Sequence, residues 1–293
     1  MHHDDCTAHA AAVPAHLEIL MMGAHHAATG AAAWVAVAGT GPLMLGLYPV
    51  SDSGLLVGTV VCAGAALLPD ADHHSGTISN SLPPLSKAVT RMIARASGGH
   101  RHGTHGLLAI GAGSGLATLV GLVGLQTETY GRVALGAGVL SLLLVAYAAK
   151  ALRITEDGTW LRSWILALAL ATFVTLYAPN EWEWLPVAVG LGIAAHIAGD
   201  MLTTGGVPLL WPWKPRPPRW WSRTNILNDV WQPSGWMGLP ILGNTGSARE
   251  WAFAIPVSAY ATYGFIVGVV GIIRSFTTET VVTDIVGNLW LLL

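Results

Sequence analysis

Histidine and aspartate residues form four short clusters in this chain, in patterns suited to binding a metal ion. The chain has 293 residues and 12 His, but only 14 Lys plus Arg and 16 Asp plus Glu. Imidazole nitrogen and carboxylate oxygen without thiolate suit zinc, manganese, iron or magnesium. The clusters are His25 and His26; Asp70, Asp72, His73 and His74; His100, Arg101, His102 and His105; and His196 with Asp200.

The pair His196 and Asp200 lies within a long apolar stretch. Residues four apart share one face of a helix, so this imidazole and carboxylate can hold one ion between them. An ionisable pair in a membrane helix is costly unless something compensates it, which favours a functional role facing the helix bundle. The alternative is a neutral His196 hydrogen-bonded to Asp200 for helix packing.

Asp70 and Asp72 follow Pro69 at the end of another apolar stretch. Pro69 biases Leu68 away from helical geometry, so a helix is expected to end there and the acidic residues to form a turn. Carboxylates at a helix C-terminus face the negative end of the helix dipole, an unfavourable position that a divalent cation would correct. A solvated acidic turn is the alternative.

The third cluster precedes an apolar stretch, where Thr104 is placed to cap a helix. A histidine in the first turn of a helix is disfavoured as a cation, so His105 fits the role of a neutral metal ligand. Arg101 is suited to neutralising a phosphate or a developing oxyanion.

The elements that must position these residues are membrane helices. The chain is 53% apolar and 10% charged, with a mean hydropathy of +0.54, whereas soluble domains carry about 25% charged residues. The net charge of −2 argues against a nucleic-acid-binding domain, because such a domain needs an excess of basic residues to bind the phosphate backbone. We therefore predict an all-α integral membrane protein, a polytopic bundle of about seven transmembrane helices. The apolar stretches are 21–40, 54–69, 104–125, 132–152, 162–178, 184–204 and 252–273.

The basic residues predict the orientation of this bundle. Four lie between stretches two and three, three between four and five, and five between six and seven, which leaves two for the other side. The positive-inside rule then places the N-terminus in the cytoplasm of a multi-pass inner-membrane protein. All four clusters fall at the cytoplasmic ends. We divide the chain into a polar N-terminal tail (1–20), a transmembrane domain carrying the metal site (21–274) and a C-terminal tail (275–293).

Two connections have distinctive sequences. Residues 85–96 place apolar and basic side chains on different helical faces, which predicts an amphipathic helix on the cytoplasmic side. Its basic face suits anionic headgroups, and a helical positive-inside loop is the alternative.

Residues 207–250 hold six of the 13 Trp residues. Interface anchoring is the usual role of such Trp, with substrate stacking as the alternative.

Three separated motifs together resemble one family, the YdjM-like inner-membrane metal-dependent hydrolases. They are Leu-Leu-Pro-Asp-Ala-Asp-His at 67–73, His-Arg-His-Gly-Thr-His at 100–105, and His-Ile-Ala-Gly-Asp-Met-Leu-Thr at 196–203 with Gly-Val-Pro-Leu-Leu-Trp-Pro at 206–212. The resemblance covers residues 21–220. The chain departs from the family pattern at Gly106, where the family tends to have serine.

The resemblance implies a set of metal ligands or water-orienting groups. The family has a histidine near the start of its first helix followed by small residues, and His26 matches it better than His25. The implied set is His26, Asp70, Asp72, His105, His196 and Asp200, with His25, His73 and His100 as second choices.

The predicted function is a divalent-metal-dependent hydrolase that acts on a lipid-borne phosphoester or similar bond at the cytoplasmic membrane surface. Asp70 or Asp72 would accept a proton from water, Arg101 would stabilise negative charge, and His105 would complete the catalytic group. Zinc is the first expectation because histidine is plentiful, ahead of manganese, iron or magnesium. Membrane lipids are the expected partners. The alternatives are a divalent-metal or proton transporter and a non-catalytic protein with a structural metal.

Overall fold

A computed structural model describes residues 15–128, 131–155, 160–177, 182–221, 224–244 and 246–290. The described residues form nine α-helices, two 3-10 turns and one β-hairpin. The helices are α1 (Ala15–Ala38), α2 (Asp52–Ala65), α3 (Leu85–Ser97), α4 (Leu107–Gly121), α5 (Leu135–Ala151), α6 (Leu161–Tyr177), α7 (Leu185–Met201), α8 (Asn225–Val230) and α9 (Ala248–Trp290). The strands are β1 (Leu125–Thr127) and β2 (Gly131–Val133), which pair antiparallel.

Each of the seven apolar stretches overlaps one of the long helices, so a mainly helical fold is confirmed. Within the described residues, two segments are long and apolar enough to cross a bilayer by themselves, Asp52–Asp72 and Ala248–Thr278. Helices α4, α5, α6 and α7 are apolar but shorter. The number of seven spans therefore stays a prediction. Helix α1 begins within the predicted N-terminal tail, and α9 continues past residue 274.

Helix α2 lies at the centre of the bundle, in contact with α1, α5, α7 and α9. Glycines allow its neighbours to come close. A Cβ on Gly30 of α1 would lie 2.7 Å from the carbonyl oxygen of Cys62, and one on Gly192 of α7 would lie 2.6 Å from the same atom. Both distances are shorter than real side chains permit, so glycine at these positions lets α1 and α7 pack directly on α2.

The outer faces of the long helices carry large exposed apolar side chains. Leu116 on α4, Leu168 on α6 and Ile255 on α9 are each more than half exposed. Contiguous exposed apolar surface is unusual on a protein surrounded by water, whereas lipid is a suitable neighbour for it.

The predicted amphipathic helix is present as α3. Its side chains Ser86 and Thr90 are buried against the preceding loop, where both bond to Ser79. The apolar side chains point outward instead: Leu85, Val89 and Met92 are exposed. An outward apolar face beside exposed basic residues is the pattern of a helix that lies in a membrane interface.

Candidate metal centre

Four separate elements bring the predicted residues together. Helix α1 carries His26, and α7 carries His196 and Asp200. A 3-10 turn at Pro69–Asp72 carries Asp70 and Asp72, and a second at Gly103–His105 carries His105. The side chains of His105 and His196 are fully buried, and Asp200 is almost so.

The end of α2 fixes the orientation of His196. Helix α2 stops at Ala65 and the chain turns at Pro69, so the carbonyl of Ala66 is available to another donor. The Nδ1–H of His196 donates to this carbonyl over 2.6 Å. A neutral His196 with its proton on Nδ1 has a bare lone pair on Nε2, which is the form that binds a metal.

A threonine fixes His105 in the same way. The Thr104 hydroxyl donates to Oδ2 of Asp72 over 2.6 Å, so its oxygen accepts from Nδ1–H of His105 over 2.9 Å. These two hydrogen bonds, from imidazole to hydroxyl and from hydroxyl to carboxylate, leave Nε2 of a neutral His105 without a proton. The sequence placed Thr104 as a helix cap, which is wrong: Gly106 is the N-cap of α4 and no side chain caps it.

Four atoms that carry lone pairs converge between these elements. The Nε2 atoms of His105 and His196 are 3.2 Å apart, and Oδ2 of Asp200 is 3.4 and 3.6 Å from them. Oδ1 of Asp70 is 3.8 Å from each Nε2. Within the described residues, Oδ2 of Asp200 is buried without a hydrogen-bond partner. Lone pairs that meet without a donor repel one another, so this geometry fits a divalent cation.

Of the two adjacent histidines in α1, His26 faces the cluster. Its Nε2 lies 3.5 Å from Oδ1 of Asp200, and its ring stacks on that of His196 at a centroid distance of 3.8 Å. His25 points towards α9, where its Nδ1 is 2.5 Å from Oε1 of Glu250.

Arg101 contacts both buried carboxylates. Its guanidinium Nη2 is 3.3 Å from Oδ1 of Asp200, and its backbone N–H donates to Oδ2 of Asp72 over 3.0 Å. The backbone adopts a left-handed conformation at Arg101, with φ of 57°, which is uncommon outside glycine. In this arrangement Arg101 orients Asp200, and its predicted contact with a substrate phosphate stays a prediction.

The second-choice residues His73 and His100 lie on the exposed side of the cluster. His100 Nδ1 is 2.8 Å from Oδ1 of Asp72, and the rings of His73 and His100 are 4.6 Å apart. Burial, and then the neighbouring His100 and His74, lower the pKa of His73, which favours its neutral form. A cavity of about 70 Å³ opens here, lined in part by Asp70, His73 and His100.

Sequence reasoning missed two contributors to this region. The sequence predicts only a capping role for Thr104, although a hydroxyl next to a candidate ligand is a reasonable sign of an orienting role. No motif marks Glu250, because it lies in a part of the chain without a recognisable pattern. An acidic side chain in the first turn of the apolar helix α9 could have marked it.

The Thr104 relay yields a testable expectation. Thr104→Val removes the hydroxyl that holds His105, so metal affinity should fall about 10- to 100-fold, the usual cost of losing such a partner. Competition with a chromophoric chelator measures this. Thr104→Ser should restore affinity, whereas Thr118→Val, which removes a hydroxyl bonded within α4, should leave it unchanged. Equal affinity in Thr104→Val and the wild type would contradict the relay.

The fold and the cluster define a helical protein with apolar outer faces and a buried histidine–aspartate centre suited to a divalent cation. The chain belongs to the YdjM inner membrane protein family, whose family model matches residues 21–152 and 159–273. The match extends beyond residue 220, where the sequence resemblance ended. No curated protein and no solved structure matches the chain. Membership in this family supports a membrane location.

Proposed function

We propose that this protein is a membrane-embedded, divalent-metal-dependent hydrolase that acts on a lipid-borne phosphoester or similar bond. The observation that carries the proposal is the convergence of two unprotonated imidazole nitrogens and two carboxylate oxygens. The nitrogens lie 3.2 Å from each other and 3.4 to 3.8 Å from the oxygens. These atoms are supplied by His105, His196, Asp70 and Asp200, with His26 stacked beside them.

The residues of the cluster have distinct roles in this proposal. A bound divalent ion, zinc as first expectation, would supply Lewis acidity and lower the pKa of a water molecule. His105, His196 and Asp200 hold it, and their partners Thr104 and Arg101 keep them oriented. Asp70 is the least buried of the carboxylates, with a side chain 27% exposed. It is therefore the group best placed to orient the attacking water and accept its proton.

An open side favours catalysis over a purely structural metal. Structural sites enclose the ion completely with protein ligands, whereas catalytic sites leave a position for water or substrate. Asp70 and His100 line a cavity on one side of the cluster, and the side chain of His100 is 43% exposed. A small substrate group can reach the centre from this side.

A second cavity supports a lipid as the substrate. It has a volume of about 460 Å³ and an apolar lining that includes Leu108, Ala112 and Leu116 on one face of α4. The lining also includes Thr104, next to His105, and Ile193, one turn before His196. An apolar cavity beside a polar centre suits a molecule with a hydrocarbon chain and a polar head.

The membrane arrangement belongs to the same proposal. Seven spans correspond to α1, α2, α4, α5, α6, α7 and α9, with the N-terminus in the cytoplasm and the metal centre at the cytoplasmic surface. The distribution of Lys and Arg supports this orientation, as does α3 with its outward apolar face. The membrane lipids in contact with α3 would include anionic ones.

The experiment is phosphate release from long-chain alkyl phosphates by purified protein in detergent. Activity should disappear after chelation and return with zinc or manganese, because the metal supplies the activation of water. A control with the same metals and no protein removes background hydrolysis. Metal uptake into sealed proteoliposomes without any hydrolysis would contradict the proposal and favour a transporter.

A further inference from the structure

We propose a second metal site on the exposed side of the centre, formed by Asp70, Asp72 and His100, so that Asp70 is shared between two ions. This inference rests on the proposed function and deepens it, from one catalytic ion to a pair. Each of the three residues offers one ligand atom, and these atoms all lie within 4.8 Å of one another.

The two oxygens of Asp72 have different surroundings. Oδ2 accepts from the Thr104 hydroxyl and from the Arg101 backbone N–H, which fixes the carboxylate. Oδ1 faces only Nδ1 of His100 in the described residues, at 2.8 Å. Neighbouring ligand atoms of an octahedral ion lie about 2.8 to 3.0 Å apart, since each lies about 2.0 to 2.1 Å from the metal. Oδ1 and Nδ1 are therefore placed to bind the same cation.

Asp70 connects the outer group to the inner one. Its Oδ1 lies 3.8 Å from Nε2 of both His105 and His196, yet Asp70 also belongs to the group with Asp72 and His100. A carboxylate between two sets of ligands is the arrangement that holds two ions a short distance apart in phosphate-transferring enzymes.

The space for the outer ion is present. The cavity of about 70 Å³ is lined by Asp70, His73 and His100, and His100 in turn contacts Asp72. One water molecule needs about 10 to 15 Å³ measured this way, so the cavity holds an ion together with water. Its opening leaves coordination positions free for a substrate oxygen.

The charges of the region also favour a second cation. Three carboxylates, Asp70, Asp72 and Asp200, lie within a few ångströms, and in the described part of the chain Arg101 is the permanently charged cation that contacts them. One divalent ion would neutralise the remaining two negative charges. A second would give the centre a net positive charge, which matches a phosphate group.

Metal stoichiometry tests the inference without relying on activity. Protein stripped with chelator and reloaded with manganese should hold two equivalents by elemental analysis and give the electron paramagnetic resonance spectrum of a coupled pair. His100→Ala, and His100→Asn as a second variant, should hold one equivalent and give the spectrum of an isolated ion. His74→Ala is the matched control, since His74 is exposed and does not line the cavity, and it should retain two.

Each outcome decides between the two proposals. One equivalent in the wild type, with an uncoupled spectrum unchanged in His100→Ala, would overturn the second site and leave the inner centre intact. No bound metal in the wild type would overturn both the second site and the proposed function. Two coupled ions without hydrolysis of any alkyl phosphate would support the second site and contradict the hydrolase.

Discussion

Protein carrying both His196→Ala and Asp200→Ala is expected to purify without the inner divalent ion and without hydrolase activity. The double change removes two of the four atoms that converge on the centre, and it leaves Nε2 of His105 and Oδ1 of Asp70, 3.8 Å apart, as the other two. Loss of an orienting partner alone costs about 10- to 100-fold in metal affinity, so removal of two ligands should cost at least about 100-fold. Elemental analysis of detergent-purified protein measures the loss.

A matched double variant controls for changes in residue type. His102→Ala with Asp229→Ala also removes one histidine and one aspartate, but Asp229 is exposed, and His102 contacts the backbone carbonyl of His100 and the ring of Trp236. It should keep both metal and activity. The wild type and the two double variants should give the same circular dichroism spectra and size-exclusion profiles. Alanine is a strong helix former, so the changes at His196 and Asp200 should leave α7 intact. Full metal content in the His196 and Asp200 variant would refute the site.

Asp70→Asn is expected to abolish most of the activity while the inner ion remains bound. The amide cannot accept a proton, and general base catalysis contributes about 10²- to 10⁴-fold to rates. His105, His196 and Asp200 are unchanged, so the protein should keep the inner ion. It should lose at most one equivalent of metal, the outer ion that Asp70 binds together with Asp72 and His100. The measurement is kcat with a long-chain alkyl phosphate at saturating metal.

The control for this change is Asp229→Asn, an identical substitution at an exposed position of α8, which should behave like the wild type. A tenfold or smaller reduction of kcat in Asp70→Asn would show that Asp70 neither accepts the proton nor orients the water. That result would direct attention to Asp72, the other carboxylate that the sequence pattern favours.

The positions of the helices could be predicted from the sequence because hydropathy is a local property. Seven apolar stretches each became a helix, and the four-residue spacing in 85–96 became α3. The hairpin of β1 and β2 was not predicted, because three-residue strands carry too little pattern to be recognised. The length of α9 was also missed, since its C-terminal part is less apolar than a span.

The candidate ligands could be predicted in kind, although their roles depend on partners distant in the chain. His26 and His25 are adjacent in sequence, and only the packing of α1 against α7 and α9 turns one to Asp200 and the other to Glu250. Arg101 was expected to face a phosphate, yet in the fold it contacts Asp200, 99 residues away.

The sequence by itself determined that lipid surrounds the protein, where its helices lie and which residue types form the centre. These features follow from the overall composition and from hydrophobic periodicity and i,i+4 spacing, which are local properties of the chain. Only the tertiary structure decided that two imidazole nitrogens and two carboxylate oxygens converge, and that Oδ2 of Asp200 has no hydrogen-bond partner among the described residues. That convergence depends on Gly30 and Gly192 letting α1 and α7 approach α2, and on the free carbonyl of Ala66 turning His196. Contacts between remote segments are set by packing, which no local pattern encodes.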